Sequence, residues 1–131
     1  MSRVGQALLL DTHALIWWQA TDPPLLSSRA YDAIADPGNA VFVSAASIWE
    51  ISIKRARGKL DVPGNVLEAL EENGFRELPI TAFHAERAGS LPLHHTDPFD
   101  RMLVAQAQAE GLILVTRDAN IPRYGVRTLT A

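Results

Sequence analysis

Cysteine is absent from the 131 residues. That removes disulfides, thiol nucleophiles, iron–sulfur clusters and the common thiolate zinc sites together, and a reducing, cytoplasmic setting is expected. Long apolar runs are missing too. Nothing approaches the ~18 consecutive residues of a membrane span, and the short stretch Ala7–Leu10 is too brief for a secretion signal. Positive charge is the scarcer sign. Twelve Lys and Arg stand against fifteen Asp and Glu, a formal −3 with His neutral. Such a field repels polyanions weakly, so a phosphate-bearing substrate would need a local basic patch or bound cations. Glycine and proline, eight of each, are at ordinary levels and leave no low-complexity linker. The length predicts one domain over 1–131, large enough to bury roughly two-thirds of its unfolded surface.

Five short apolar runs recur: Ala7–Leu10, Val41–Val43, Phe75–Leu78, Leu112–Val115 and Val126–Leu129. They are too short for helices and rich in Val, Leu and Ile. Helical spacing lies between them. Ala14–Gln19 follows the first run, and Ser27–Ala35 opens on Ser27 or Ser28 as an N-cap. Ser47–Arg57 carries the Ser-x-x-Glu pattern of a capping box and ends at Gly58. Val66–Asn73 and Thr81–Ala88 each stop at a glycine, and Asp97–Glu110 begins Asp-Pro and ends at Gly111. Alternating strands and helices with continuous apolar strands predict an α/β fold: three layers, a mainly parallel five-stranded sheet with helices on both faces. Ligands in such sheets sit beyond the carboxyl ends of the strands.

Acids cluster where that rule points. Asp11 follows Leu8-Leu9-Leu10 directly, and Asp118 follows Leu112–Val115 after Thr116 and Arg117. Asp97 and Asp100 occupy the N-cap and N3 positions of the last long helix, and Glu50 lies among Ile48, Trp49, Ile51 and Ile53. Each has a structural explanation. Asp11 and Asp97 suit helix caps, Asp118 suits a turn with Asn120, and Glu50 suits the third position of the capping box. If Ser44 capped that helix instead, Glu50 would sit inside a buried stretch and need a partner. Asp97 is best explained as a cap. Jointly, Asp11, Glu50, Asp100 and Asp118 are expected at one rim of the sheet. Four crowded carboxylates raise one another's pKa, and a hard divalent cation such as magnesium, with manganese as its substitute, relieves this with oxygen ligands.

The blocks Leu8-Leu9-Leu10-Asp11-Thr12-His13, Ser44-Ala45-Ala46-Ser47-Ile48-Trp49-Glu50-Ile51, His94-His95-Thr96-Asp97-Pro98-Phe99-Asp100-Arg101-Met102-Leu103 and Leu114-Val115-Thr116-Arg117-Asp118 resemble a PIN domain. More closely, they resemble the VapC-type ribonuclease toxins of type II toxin–antitoxin pairs. The resemblance spans nearly the whole chain in order and spacing. It implies a metal-dependent endoribonuclease whose acids match Asp11, Glu50, Asp100 and Asp118, an RNA substrate, a cognate antitoxin and a homodimer.

Other residues carry weaker expectations. The basic cluster Lys54, Arg55, Arg57 and Lys59 is either a solvated helix end or a landing strip for RNA phosphates. Thr12, Lys54, Arg55, Arg101 and Thr116 are expected to bind substrate. His94 and His95 favour a structural or substrate-side role over metal ligation, which would select zinc or iron. Trp17, Trp18 and the apolar helix around Trp49 are expected to offer an interface, with a basic side chain of the antitoxin entering the acidic pocket. A phospho-receiver fits poorly, since no Lys follows residue 59. The remaining alternatives are a PIN-fold nuclease that processes DNA or RNA without an antitoxin, and a non-catalytic PIN-fold binding module.

Overall fold

Leu8, Leu9 and Leu10 are all fully buried, which a strand achieves only when both of its faces are covered. The computed structural model, which describes residues 5–20, 25–60 and 64–131, shows how this is done. β1 (Ala7–Leu10) is the central strand of a sheet with β2 (Ala40–Ser44), β3 (Arg76–Leu78), β4 (Ile113–Thr116) and β5 (Thr128–Thr130). The order is β3-β2-β1-β4-β5 and every pairing is parallel. Successive side chains alternate faces. Leu8 and Leu10 therefore join a core with Leu15 of α1 (Thr12–Ala20), Ile34 of α2 (Ser28–Ala35), Ile51 of α3 (Ala45–Ala56) and Leu70 of α4 (Val66–Glu72). Leu9 packs on the other side against Leu103, Val104 and Ala107. Those three belong to α6 (Pro98–Glu110), which packs beside α5 (Ala82–Ser90). The expected three layers are present. Among the described residues no helix is long and apolar enough to cross a membrane.

The caps account for the boundaries. Asn65, Thr81 and Asp97 each accept hydrogen bonds from the first turn of the helix that follows. Gly111 closes α6 with φ at 67°, a left-handed conformation that disfavours a Cβ. Several boundaries differ from expectation: α5 runs through Gly89 to Ser90 instead of stopping at that glycine, and β5 begins at Thr128 instead of Val126. α1 starts at Thr12 rather than Ala14, because the Asp11 carboxylate accepts from the Ala14 N–H at 2.7 Å. α3 starts at Ala45, because the Ser44 hydroxyl accepts from the Ala46 N–H at 3.0 Å. The Ser47–Glu50 capping box therefore does not form, and Glu50 lies in mid-helix and is buried. A 3-10 turn over Ile121–Tyr124, with Pro122 in its first turn, has no counterpart in the periodicity. The expectation concerning the extreme N-terminus falls partly on residues 1–4, outside the described residues.

Each tryptophan has a partner within the chain. Trp18 packs on Tyr31 and Phe75, and its indole N–H donates to Asn73 Oδ1 at 3.1 Å. Trp17 lies beneath the Arg117 guanidinium, 4.3 Å from its ring centre. Ile51 is in the core. Of the surface predicted from these residues, what stands out is Trp49, 61% exposed, with the edge-on Phe99 ring 5.3 Å away.

Candidate metal centre

The sheet runs outward from β1 in one direction through β2 and β3, and in the other through β4 and β5. Where the strand order reverses, the carboxyl ends of β1 and β4 leave a crevice. Asp11 follows β1 there, and its N–H donates to Val115 O on β4 at 3.1 Å. Asp118 follows β4, and Asp100 in the first turn of α6 reaches the same place. Asp11, Asp100 and Asp118, together with His13, Trp17 and Arg117, line an open cleft of about 310 Å³.

Each acid is held by different means. One Asp11 oxygen caps α1, and its carboxylate also takes a hydrogen bond from Thr116. Burial pushes its pKa up, against those hydrogen bonds, with the Glu50 charge adding to the rise. Asp100 is pushed up to about 7, first by burial, then by the charges of Asp97, Asp11 and Glu50, with His95 offsetting part of it. Asp118 goes the other way. Burial raises it, but hydrogen bonds from the Asn120 N–H and from His95 outweigh burial and hold its carboxyl below the usual range.

Glu50 points to the same centre from behind. Its Oε1 accepts from the Thr12 hydroxyl at 2.6 Å, and its Oε2 pairs with Lys54 Nζ at 2.9 Å. Thr12 also contacts Ser47 Oγ at 3.1 Å. Among the described residues, the group of potential metal ligands whose atoms lie within 4.8 Å of one another is His95, Asp100 and Asp118. Asp11, Glu50 and Asp100 are electrostatically coupled, and Asp118 joins Asp100 through His95. The structure places three of them on the cleft, and Glu50 is engaged by its own hydroxyl and ammonium partners.

The residues expected to bind substrate fall into place unevenly. Thr12 and Thr116 are buried and bond to the acids, so they orient carboxylates instead of facing solvent. Lys54 is committed to Glu50, and Arg55 Nη2 donates to Gly64 O at 2.9 Å. Arg101 is a correction. Its terminal nitrogens donate to the carbonyls of Ala88, Gly89, Leu91, Pro92 and His95, at the end of α5 and in the loop beyond it. Of the five donors of a guanidinium, the four on these terminal nitrogens are spent on the backbone, not presented to a phosphate. Asp97 is the α6 cap, as predicted. His94 stacks edge-on against Tyr124 at 4.9 Å. Two contributors were missed. Ser47 looked like a cap, and Arg117 looked like an ordinary flank of Asp118. The second carried a signal, since a cation next to an acid beyond a strand end borders any cleft there.

The donor set suits a hard divalent cation. Carboxylate oxygens predominate, and an acid that keeps its proton to about pH 7 beside three other carboxylates lacks a neutralising charge. Comparisons with known proteins agree in kind. The family model described as "PIN domain" matches residues 8–126. The chain is 32% identical over 117 residues to Ribonuclease VapC22 of Mycobacterium tuberculosis, covering 87% of this chain and 88% of that protein. Its fold is similar to VapBC2 from Rickettsia felis, solved bound to a promoter DNA fragment, with a TM-score of 0.66, 16% identity and coverage of 95% and 98% of the two chains. It is also similar to FitAcB from Neisseria gonorrhoeae, with a TM-score of 0.62, 20% identity and coverage of 94% and 96%.

Proposed function

The chain belongs to the PIN-domain family, as a VapC-type ribonuclease toxin of a toxin–antitoxin system, and from that premise we propose a magnesium-dependent endoribonuclease that cleaves RNA phosphodiester bonds with water. The observation that carries the proposal is the convergence of Asp11, Asp100 and Asp118 on one cleft at the reversal of strand order. Bound magnesium, with manganese able to replace it, supplies Lewis acidity there, activating water and neutralising charge on the phosphate.

The protein's own groups do the rest. Asp100 and Asp118 would hold the cation together with Asp11. Thr116 keeps Asp11 oriented, and Thr12 keeps Glu50 oriented. Glu50 adds negative field to Asp100 from behind, and it becomes a ligand only if Lys54 swings away. Lys54, released in that way, together with Arg55 and the cleft-edge Arg117, supplies the local positive charge that a −3 molecule needs to hold an RNA backbone.

The single domain works in the cytoplasm as a homodimer, restrained by a cognate antitoxin. The exposed Trp49, backed by the half-buried Phe99, gives that partner an aromatic anchor. A basic side chain from it would compete with magnesium for the carboxylates. The deciding experiment incubates purified chain with RNA and with DNA of matching sequence, in magnesium, manganese or chelator. Cleavage of RNA alone, dependent on the cation and abolished in Asp100→Asn, is the expected result. Chelator-resistant cleavage, or full activity in Asp100→Asn, would overturn the reading.

A further inference from the structure

We propose that His95 is a positioning residue: its Nε2–H fixes the Asp118 carboxylate beside Asp100, and its ring does not ligate the cation that those acids hold. The inference rests on the reading of Asp100 and Asp118 as cation-holding groups.

Every polar group of His95 is engaged. Its backbone N–H donates to Tyr124 Oη at 2.9 Å, and that hydroxyl donates onward to Pro92 O at 2.8 Å. Its carbonyl accepts from Arg101 Nη1 at 3.2 Å. Its Nδ1 faces the Asp97 backbone N–H at 3.1 Å. Asp97 is itself anchored, because its carboxylate caps Phe99 and Asp100 at 2.8 and 3.1 Å. A backbone N–H can only donate, so Nδ1 accepts and carries no hydrogen. The ring hydrogen therefore sits on Nε2, the nitrogen that lies 2.6 Å from Asp118 Oδ2 and 3.1 Å from Asp100 Oδ2.

That tautomer decides between ligand and donor. Proximity alone would admit His95 into a three-ligand group with the two acids. Ligation through Nε2 would send the hydrogen to Nδ1, where it would meet the Asp97 N–H head-on. The anchor between the ring and Asp97 would break. As a donor, by contrast, His95 does something the acids cannot do alone. Asp118 lies beyond β4 in irregular chain, tied locally by Oδ1 to the Asn120 N–H at 2.8 Å. Its second oxygen is held toward Asp100, against like-charge repulsion, by the imidazole. Outer groups that orient metal-holding side chains in this way typically change affinity 10- to 100-fold when lost.

The test has an arm that needs no metal. In the metal-free protein, 15N NMR of the imidazoles should show the Nε2–H tautomer for His95, and Asp118 should occupy one χ1 rotamer. His95→Asn keeps an acceptor near Nδ1 and removes the Nε2 donor, so Asp118 should become rotamer-averaged. Manganese affinity, read by EPR titration, should fall about 10- to 100-fold in His95→Asn. His95→Gln, which can place an amide N–H near the Nε2 position, should recover most of it. Saturating magnesium should leave the wild-type tautomer unchanged. An Nδ1–H tautomer, a switch to it on adding magnesium, or an unaltered Asp118 rotamer in His95→Asn would each overturn the proposal. If His95→Asn does not fold, the wild-type tautomer with and without magnesium still decides. Wild-type protein that binds neither ion would defeat the functional reading, with the metal-free spectra left to judge His95.

Discussion

The two halves of the acidic rim are built on different principles. On the β1 side, Asp11 and Glu50 are 5% and 7% exposed and grow out of regular elements. One caps the first helix, and the other is a mid-helix residue whose oxygens are met by a threonine and a lysine. On the loop side, Asp100 and Asp118 are more open, and their geometry depends on a loop pinned by Arg101 and His95. The difference appears in their chemistry. On the β1 side Glu50 carries its own compensation, and Asp11 is raised but partly offset by its hydrogen bonds. Across the loop side the pKa values are driven apart, Asp100 up and Asp118 down. A cation gains most where charge is least compensated, so the loop side should govern metal binding and the β1 side should govern the frame.

The sharpest way to break that contrast is to neutralise one acid from each half. Asp100→Asn and Asp11→Asn should each lower cleavage by about 1,000-fold or more, as expected when a metal-holding group is lost. Without metal, neither should melt earlier at pH 8. Repulsion is relieved in both, and asparagine caps a helix about as well as aspartate. Asp11→Ala is the discriminating variant, since it also loses the cap and should cost ~1 kcal/mol of stability in a denaturant titration.

Arg101 tests the loop half alone. Removing a half-buried, charged donor from several carbonyls should destabilise Arg101→Ala by about 1–3 kcal/mol. Manganese affinity should fall with it, because the His95 loop loses its tether. Arg101→Lys should recover little, since one ammonium cannot reach carbonyls spread over the end of α5 and the following loop. A variant as stable as wild type would show that the loop holds itself.

Thr12 tests the β1 half, with a smaller effect. Thr12→Val keeps the shape and removes the hydroxyl that donates to Glu50. A loss of about 1–2 kcal/mol is expected, with Lys54 left as the partner of Glu50. Manganese affinity should change less than in His95→Asn, and the reverse ranking would move the governing half to the β1 side.

The same division explains what was legible in the chain. Three leucines followed by an acid, or an apolar run followed by Thr-Arg-Asp, place carboxylates at strand ends by local rules, and the parallel sheet gathers them. The Glu50 helix was only half readable, because Ser44 and Ser47 are equally good caps on paper. Choosing between them requires knowing that Ser47 and Glu50 face Thr12 across the core. Arg101 and His95 were not readable in their roles. The partners of Arg101 are backbone carbonyls, and the His95 ring is oriented by a backbone N–H, groups that no side-chain pattern reveals. The contacts of the adjacent indoles were not readable either, because an arginine cover and an asparagine acceptor come from distant parts of the chain.

The smallest expected effect is also the one that most finely separates the two loop-side acids, the stability of the metal-free protein against pH. Asp100 holds its proton to about pH 7 when folded, against an ordinary value of 3.8. Between about pH 4 and 7 the folded state therefore binds more protons than the unfolded one, and stability falls as pH rises through that window. Asp11 is shifted in the same direction and adds to the slope. Asp118 is lowered, so its contribution is lost only as pH falls below the ordinary carboxylate range, and it is silent between pH 5 and 8. Melting temperature in chelator should thus drop from pH 5 to pH 8. The drop should shrink by about 3–5 °C in Asp100→Asn. Asp118→Asn should leave the pH 5 to 8 slope unchanged and flatten the curve below pH 4 instead. Magnesium should stabilise more at pH 8 than at pH 5, since it binds the deprotonated acids. A slope that survives in Asp100→Asn would assign the retained proton to another group in the cleft.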